Sequence, residues 1–349
     1  MPMDFQAQLK SFLSRATGDP AASIEELRRH TQGFSMETVS FVGAWREAGA
    51  LQKRRLILRR QPDAGLLEPY DLRPQVAAMR ALQGVMQVPP LLWFEEDPAV
   101  LGAPFYVMGF VDGDVPLPMI APGAELPIAD AATREALAAD LARNLAALHR
   151  FEWHGAGFES FAVPSGPRQA AQMQIDLWRG YYQRSRPDPS PMLERALREL
   201  DRRARAFPEQ GPVSIVHGDF RTGNFLRQGT RVTAVLDWEL VHLGDPMEDL
   251  AWACSRLWRG QTDLAGLLVP RARFLELYRE AGGFDVDSAR LAFYDLLGAV
   301  KMAAIMLTGI RAFADARTDD VRMAIFAHQV DGLNMVIGES LGLVPSLSN

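Results

Sequence analysis

Cysteine is nearly missing from this chain. Cys254 is the only one in 349 residues, so no internal disulfide can form. That composition fits a reducing compartment, and a cytoplasmic location is the expectation. Cys254 stands in the helix-like stretch "DLAWACSRLW" and reads as a small core residue rather than a nucleophile. An excess of positive charge is missing too. Lys and Arg number 37 against 43 Asp and Glu, for a net charge of −6. Such a chain has no general attraction for polyanions, so no nucleic-acid partner is expected. The basic clusters "QKRRLILRR" (52–60) and "DRRARAF" (201–207) then read as solvated faces with a few phosphate contacts. Long apolar runs are also lacking. The longest, "LLGAVKMAAIMLTGI" (296–310), falls short of the roughly 20 residues a span needs and contains Lys301. It reads as a buried helix, and no membrane partner is expected. "MPMDFQAQLKSFL" carries an acid and no apolar core, so no signal peptide is expected either. There is no internal repeat, and no heptad run or apolar edge points to an oligomeric state.

What is present is an ordinary globular composition, 48% hydrophobic and 23% charged, over a length that suits a bilobal fold. After an initial helix the first third is rich in strands. "SIEELRRH" (23–30) opens with Ser23 and Glu26 in a capping-box pattern, which predicts a short helix. "METVSFVGAW" (36–45) and "KRRLILRR" (53–60) predict paired strands, with Leu56 and Leu58 on one face and Ile57 and Arg59 on the other. "PQVAAMRALQGV" (74–85) has the helical spacing of Val76, Met79 and Leu82, with Pro74 in its first turn. "APFYVMGFVDGD" (103–114) is a strand ending in an acidic turn; Phe105, Tyr106 and Phe110 read as core. Then the composition changes. "DAATREALAADLARNLAALHRF" (130–151) puts Leu137, Leu141, Leu145 and Leu148 on one helical stripe, and helices continue to about residue 206. "NFLRQGTRVTAVLDWE" reads as a hairpin about Gln228, Gly229 and Thr230. "GDPMEDLAWACSRLW" starts a helix, with Asp245 as N-cap, Pro246 at N1 and Glu248 closing the box. The rest is helical to about residue 340. The expected architecture is α+β: a small β-rich lobe with one helix over 1–108, a hinge at 109–114, and a large helical lobe over 115–349. A ligand cleft between the lobes follows.

The polar residues of "SIVHGDFRTGNFL" (214–226) interrupt two apolar runs. Their types suit chemistry that needs a base and a hard cation. Mg²⁺ takes oxygen ligands, commonly one or two carboxylates with phosphate oxygens and water. Asn224 offers an amide oxygen and Asp237 a carboxylate, and the hairpin between them can bring both together. Asp219, just before, can accept a proton from a hydroxyl. The spacing from His217 through Asp219 to Asn224 is that of the protein-kinase catalytic loop H-R-D-x-x-x-x-N. Asp237 then stands where a kinase carries its metal-binding Asp.

"VHGDFRTGNFL", "VLDWELVHLGDPMEDLAW" and "VLGAPFYVMGFVDG" together resemble the aminoglycoside phosphotransferase and choline kinase superfamily. The likeness runs from about residue 25 to 335. It is closest to the phosphotransferase-like domain associated with certain acyl-CoA dehydrogenases, an impression carried by "DPAVLGAPFYVM" and "GDPMEDLAW". The resemblance implies a protein-kinase-like fold and ATP- and Mg²⁺-dependent phosphorylation of a small-molecule hydroxyl. ATP could be replaced by another nucleoside triphosphate. By position Asp219 would be the catalytic base or a substrate-orienting acid, and His217 would serve the same centre, bracing the loop by hydrogen bonding. Asn224 and Asp237 would hold Mg²⁺. Asp249 would brace the loop from the following helix, or act as a second cap. Met108 would lie behind the adenine, with Gly109 and Val111 offering it backbone hydrogen bonds.

The match departs from the family pattern on the nucleotide side. Arg59 takes the place of the kinase lysine, with Arg60 as the competing register. Gln75 takes the place of the helix glutamate and cannot neutralise a cation. The phosphate loop "QGFSMETVS" has only Gly33 and then Ser35. These departures keep a nucleotide- or acyl-CoA-binding pseudokinase open. For the acceptor, arginine recurs from Arg168 to Arg205, which disfavours a polycationic aminoglycoside. A hydroxy acid or hydroxyacyl-CoA is the expectation, an aminoglycoside the alternative.

Overall fold

Alternating apolar residues in the first third build an antiparallel sheet with two unlike faces. The computed structural model describes residues 3–30, 36–116, 125–185, 188–259 and 262–344. Strands β1 (Ser23–His30), β2 (Glu37–Glu47), β3 (Ala50–Arg60), β4 (Leu91–Glu95) and β5 (Phe105–Gly109) form one five-stranded sheet in the order β1-β2-β3-β5-β4. One face buries Val39, Phe41, Trp45, Leu56, Leu58, Phe105 and Val107. Helix α1 (Met3–Thr17) covers it with Leu9, Phe12 and Leu13, at the i, i+3, i+4 spacing of an amphipathic helix. The opposite face carries Ile57, Arg59, Tyr106 and Met108 toward a cleft. In register, Thr38 lies opposite Arg59, and Arg59 opposite Tyr106. Between β3 and β5 come α2 (Arg73–Ala81), which buries Gln75, Val76 and Met79, and the single turn α3 (Pro98–Leu101).

Two expectations are corrected. Residues 23–30 are a strand, not a helix. They pair with β2 through a bulge between Glu25 and Arg28, where Glu26 takes a φ of 53°. Cross-strand pairing outweighs the local capping signal, and the exposed charges suit an edge strand. The β-rich lobe also has more than one helix, since α1 precedes the sheet and α3 interrupts it.

The second part is helical around a small β-layer. Helices α4 (Ala131–Arg150), α5 (Pro167–Ser185) and α6 (Pro191–Ala204) come first. Asp130 caps α4 by accepting the Thr133 N–H at 2.7 Å, and the leucine stripe of α4 is buried. Then follow β6 (Ser214–Val216), the hairpin β7 (Phe225–Gln228) and β8 (Arg231–Val235), β9 (His242–Gly244) and α7 (Met247–Ala253). α8 (Arg271–Glu280), α9 (Ser288–Ala314) and α10 (Val321–Ser340) end the described fold. The N-cap position of α7 falls on Pro246 rather than Asp245, although Asp245 Oδ1, one residue ahead, still accepts the Met247 N–H at 3.0 Å. Glu248 does not close the box; its carboxylate is drawn instead to His242 and Lys301. By length and composition alone the 27-residue α9 could cross a membrane, more than its apolar run suggested. In the fold it is a core helix packed against α5, α6, α7 and α10.

The chain crosses between the two parts just after β5. Asp114 and Arg227 exchange backbone hydrogen bonds at 2.9 Å each way, tying the crossing to the hairpin. Gly113 permits that contact, because a Cβ there would lie 2.8 Å from Thr233 Oγ1.

Candidate active site

Strand β6 pairs with β9, Ile215 opposite Leu243, and delivers the loop 217–224 to the cleft. The loop turns at Gly218, whose φ is +80° and where a Cβ would meet Leu240 O at 2.5 Å. Only glycine fits so close a passage. Asp219 follows with its side chain 17% exposed. Its Oδ1 accepts Arg221 Nε at 3.0 Å and Trp252 Nε1 at 2.6 Å, and its Oδ2 accepts Asn224 Nδ2 at 2.5 Å. The hairpin brings the next residues back: Leu236 N–H donates to Asn224 O at 2.7 Å, which sets Asp237 beside Asn224. Asp237 has a φ of 59°, a left-handed conformation costly for a residue with a Cβ and held here by its surroundings.

Behind the loop lies a buried polar network. Asp249 Oδ2 accepts the His217 N–H at 2.7 Å and Oδ1 the Gly218 N–H at 2.9 Å. His149 reaches Asp249 through Nε2 at 3.3 Å and Tyr278 OH through Nδ1 at 2.8 Å. Burial works against the Asp249 carboxylate, but His149 and His217 outweigh it and hold it below the usual range. Asp249 is thus a brace for the loop and not a helix cap. His217 is fully buried. Its Nε2 donates to Leu236 O at 2.8 Å and its Nδ1 accepts the Asp219 N–H at 3.1 Å. Burial lowers its pKa against the pull of Asp249 and Asp219, so it is neutral at pH 7. With both nitrogens engaged by backbone groups, His217 is placed to hold the loop by hydrogen bonding, the part expected of it from sequence, and not to meet a substrate. Lys301 completes the network. Nearly buried, it donates to Gly218 O, lies 3.5 Å from Glu248 Oε1, and sits over the rings of Trp178 and Trp252.

The nucleotide side is arranged differently. A cavity of about 230 Å³ is lined by Arg59, Met108, Gly109, Val111 and Asp237, all singled out by sequence. Phe110 also lines it, 39% exposed beneath the Arg55 guanidinium, and so is not core. Gly109 N–H is already donated to Pro90 O at 2.8 Å. Of the two hinge residues singled out by sequence, Val111 is the one whose N–H no described group takes. Arg59 Nη2 lies 2.8 Å from Asp237 Oδ1. Burial disfavours its charge, but Asp237 more than restores it and the guanidinium stays protonated. Arg60 points elsewhere, bonded to Glu37 and Leu101 O. Gln75 is absent from this cavity: its Oε1 accepts Tyr106 OH at 3.1 Å, and it lines a second cavity of about 200 Å³ beyond residues 239–242. That cavity is also walled by Trp178, Tyr181, His242 and Lys301. Gly33 and Ser35 lie outside the described residues.

The donor set fits a hard cation shared with a nucleotide. With its nitrogen committed to Asp219, Asn224 keeps its amide oxygen for other use. Asp237 Oδ1 and Arg59 Nε are buried and find no aligned hydrogen-bond partner among the described residues. Among the described residues no group of three or more His, Cys, Asp or Glu side chains gathers into a self-sufficient metal site, so a cation here would need phosphate oxygens to complete its shell. Sequence reasoning missed His149, Glu248 and Trp252. Lys301 it noted only as a charge in an apolar run, yet a lone charge in a core helix already implies a buried partner.

Arginine content does not mark the acceptor site. Arg168, Arg179, Arg202 and Arg203 are tied to Glu209, Asp176, Asp201 and Glu199.

Residues 27–294 match the family model described as the phosphotransferase enzyme family. Among curated proteins, the chain is 29% identical over 255 residues to acyl-CoA dehydrogenase family member 10 of Mus musculus, covering 71% of this chain and 22% of that protein. It is 29% identical over 333 residues to acyl-CoA dehydrogenase family member 11 of Rattus norvegicus, covering 87% and 41%. The chain thus spans well under half the length of these relatives. Among solved structures, a candidate aminoglycoside phosphotransferase from Ralstonia eutropha JMP134 superposes with a TM-score of 0.69 at 24% identity, covering 96% of this chain and 98% of that one. Aminoglycoside phosphotransferase APH(4)-Ia, in ternary complex with AMP-PNP and hygromycin B, gives a TM-score of 0.60 at 19% identity, covering 97% and 100%. The kinase-like α+β fold is therefore shared.

Proposed function

Because the chain belongs to the phosphotransferase enzyme family, we propose that it transfers the terminal phosphoryl group of ATP to a hydroxyl of a small molecule. One observation carries this reading: Arg59, Met108, Val111 and Asp237 line one cavity, and the Asp219–Asn224 loop adjoins it through the hairpin. Asp219 accepts the hydroxyl proton. The hydroxyl oxygen bonds to the γ-phosphorus while the bond from that phosphorus to the β–γ bridging oxygen breaks, releasing ADP. Arg59 reaches the phosphates, its Nε without another acceptor among the described residues. Asn224 and Asp237 are the residues that would hold Mg²⁺, which supplies charge neutralisation across the nucleotide phosphates. Asp237 must first turn from Arg59.

For the acceptor, the naming of the curated relatives as acyl-CoA dehydrogenase family members supports a hydroxyacyl-CoA or hydroxy acid. A second reading, a protein that binds nucleotide without transfer, is favoured by the Arg59–Asp237 pair, which occupies a metal ligand.

The test is ATP turnover with Mg²⁺ over hydroxy acids, hydroxyacyl-CoAs and aminoglycosides, with ³¹P NMR of the product and Asp219→Asn as control. Transfer to a hydroxyacyl-CoA or hydroxy acid that the control abolishes is the expected result. Transfer only to an aminoglycoside overturns the acceptor class. Nucleotide binding with no transfer to any acceptor overturns the kinase reading and leaves the second.

A further inference from the structure

Asp219 is held by a residue outside its own loop. Trp252, on α7, is 3% exposed and donates its indole Nε1–H to Asp219 Oδ1 at 2.6 Å. The ring is seated from several sides. Gly298 of α9 leaves room for it, since a Cβ there would lie 3.2 Å from Trp252 Cε3. Lys301, one turn further along α9, places its ammonium 4.5 Å from the ring centroid. Trp258 meets it edge-on at 5.3 Å. Lys301 in turn donates to Gly218 O, so one cation fixes both the loop backbone and the indole.

An ionised carboxylate has about four lone-pair positions. On Asp219 three are taken, by Arg221, Trp252 and Asn224. Arg221 and Asn224 belong to the loop itself, and the Arg221 guanidinium also stacks 4.4 Å over the Trp258 ring, in the short turn after α7. Trp252 alone of the three ties the carboxylate to the helical core. We propose that Trp252, seated by Gly298 and Lys301, is a positioning residue that fixes which lone pair Asp219 presents to the acceptor hydroxyl. This rests on the phosphotransfer reading above. The geometry demanded is tight, because a displacement of about 1 Å in a reacting group can cost on the order of a hundredfold in rate.

The experiment compares wild type, Trp252→Phe, Gly298→Ala and Asp219→Asn in the full chain. The indole ¹⁵N–¹H resonance of Trp252 is assigned by its loss in Trp252→Phe. It is expected to move in Asp219→Asn and in Gly298→Ala. With the acceptor found in the panel above, kcat is expected to fall on the order of ten- to a hundredfold in Trp252→Phe and by less in Gly298→Ala. KM for ATP should stay within about twofold in both, since neither change touches the nucleotide cavity. Gly298→Ala keeps every polar group, so it remains informative if Trp252→Phe does not fold. An indole resonance unmoved by Asp219→Asn overturns the proposal whatever the activity. So does an unchanged kcat in folded Trp252→Phe, or a loss that appears only in KM for ATP. A wild type that phosphorylates nothing overturns the phosphotransfer reading and this proposal with it, while the indole resonance still reports whether the bond exists.

Discussion

The catalytic loop and the nucleotide grip face one cleft, but they are secured in different ways. The loop hangs from a buried network in which Asp249 binds two backbone N–H groups, His217 uses both ring nitrogens, and Lys301 takes the Gly218 carbonyl. The grip is a single ion pair, Arg59 with Asp237, while Gln75 is bonded to Tyr106 and faces another cavity. A network of satisfied buried groups specifies one geometry. A lone pair between a cation and a prospective metal ligand is an arrangement a ligand can exchange. On the proposed reading, the difference teaches that binding energy acts on the grip, while the loop that would carry the base is already fixed.

The largest expected effect tests the loop's chemistry without its scaffold. Asp219→Asn keeps the shape and, with its amide oxygen in the place of Oδ1, the hydrogen bonds from Arg221 and Trp252, while its amide nitrogen gives up the one from Asn224. It should lower phosphotransfer by about 10²- to 10⁴-fold, the range of general-base contributions. ATP should still raise the melting temperature as in wild type, because nucleotide binding belongs to the other side. Asp249→Ala tests the scaffold itself. It strips a fully buried carboxylate from His149 and from two backbone donors. Unfolding free energy, measured by urea titration, should fall by about 3 kcal/mol or more. A loss under 1 kcal/mol would mean that the loop is not hung as described.

The same contrast explains what could be read from sequence. The Asp219-to-Asn224 spacing and the hairpin to Asp237 are local, so chain order already implied their neighbourhood. Strand alternation likewise placed Leu56 and Leu58 opposite Ile57 and Arg59. The bracing network was mostly hidden because its partners are distant: His149 and Asp249 are 100 residues apart, Lys301 and Gly218 83. Asp249 was the exception, visible by resemblance to a family position. Residues 23–30 misled for the opposite reason. Their capping box is a true local signal, overruled by pairing with β2. The partner of Arg59 was also out of reach, since Gln75 stood at the position of the usual helix glutamate, Asp237 read as a metal ligand, and only the folded cleft pairs Arg59 with Asp237.

Gln75→Glu would bring the grip closer to the loop's standard. A carboxylate on the hydroxyl of Tyr106, which lies opposite Arg59 in the sheet, adds negative charge on that side of the cleft and weakens the hold of Asp237 on the guanidinium. KM for ATP with Mg²⁺ should fall about three- to tenfold, the scale of one charge-assisted hydrogen bond. A rise in KM would show that Arg59 and Asp237 need each other in the nucleotide-bound state.

The smallest effect separates the two sides by pH. On the loop side, Glu248 sits between His242 Nε2 at 3.2 Å and Lys301 Nζ at 3.5 Å. Burial raises the cost of its charge, yet His242 and Lys301 overcome this and lower its pKa below the ordinary 4.5. His242 is raised above its ordinary 6.5; burial and Lys301 oppose the shift, and Glu248 prevails. A lowered carboxylate stabilises the fold above its unfolded value and loses that contribution as pH falls through the folded one. A raised histidine stabilises fully below its unfolded value and loses the contribution as pH rises through the folded one. Both contributions are whole between 4.5 and 6.5. The melting temperature of wild type minus that of His242→Gln should therefore be larger at about pH 6 than at about pH 8, by on the order of 1 °C. Arg59 carries its charge throughout this range, so Arg59→Met should show a difference from wild type that does not vary with pH. If it varies as His242→Gln does, the pH response does not belong to the loop side alone.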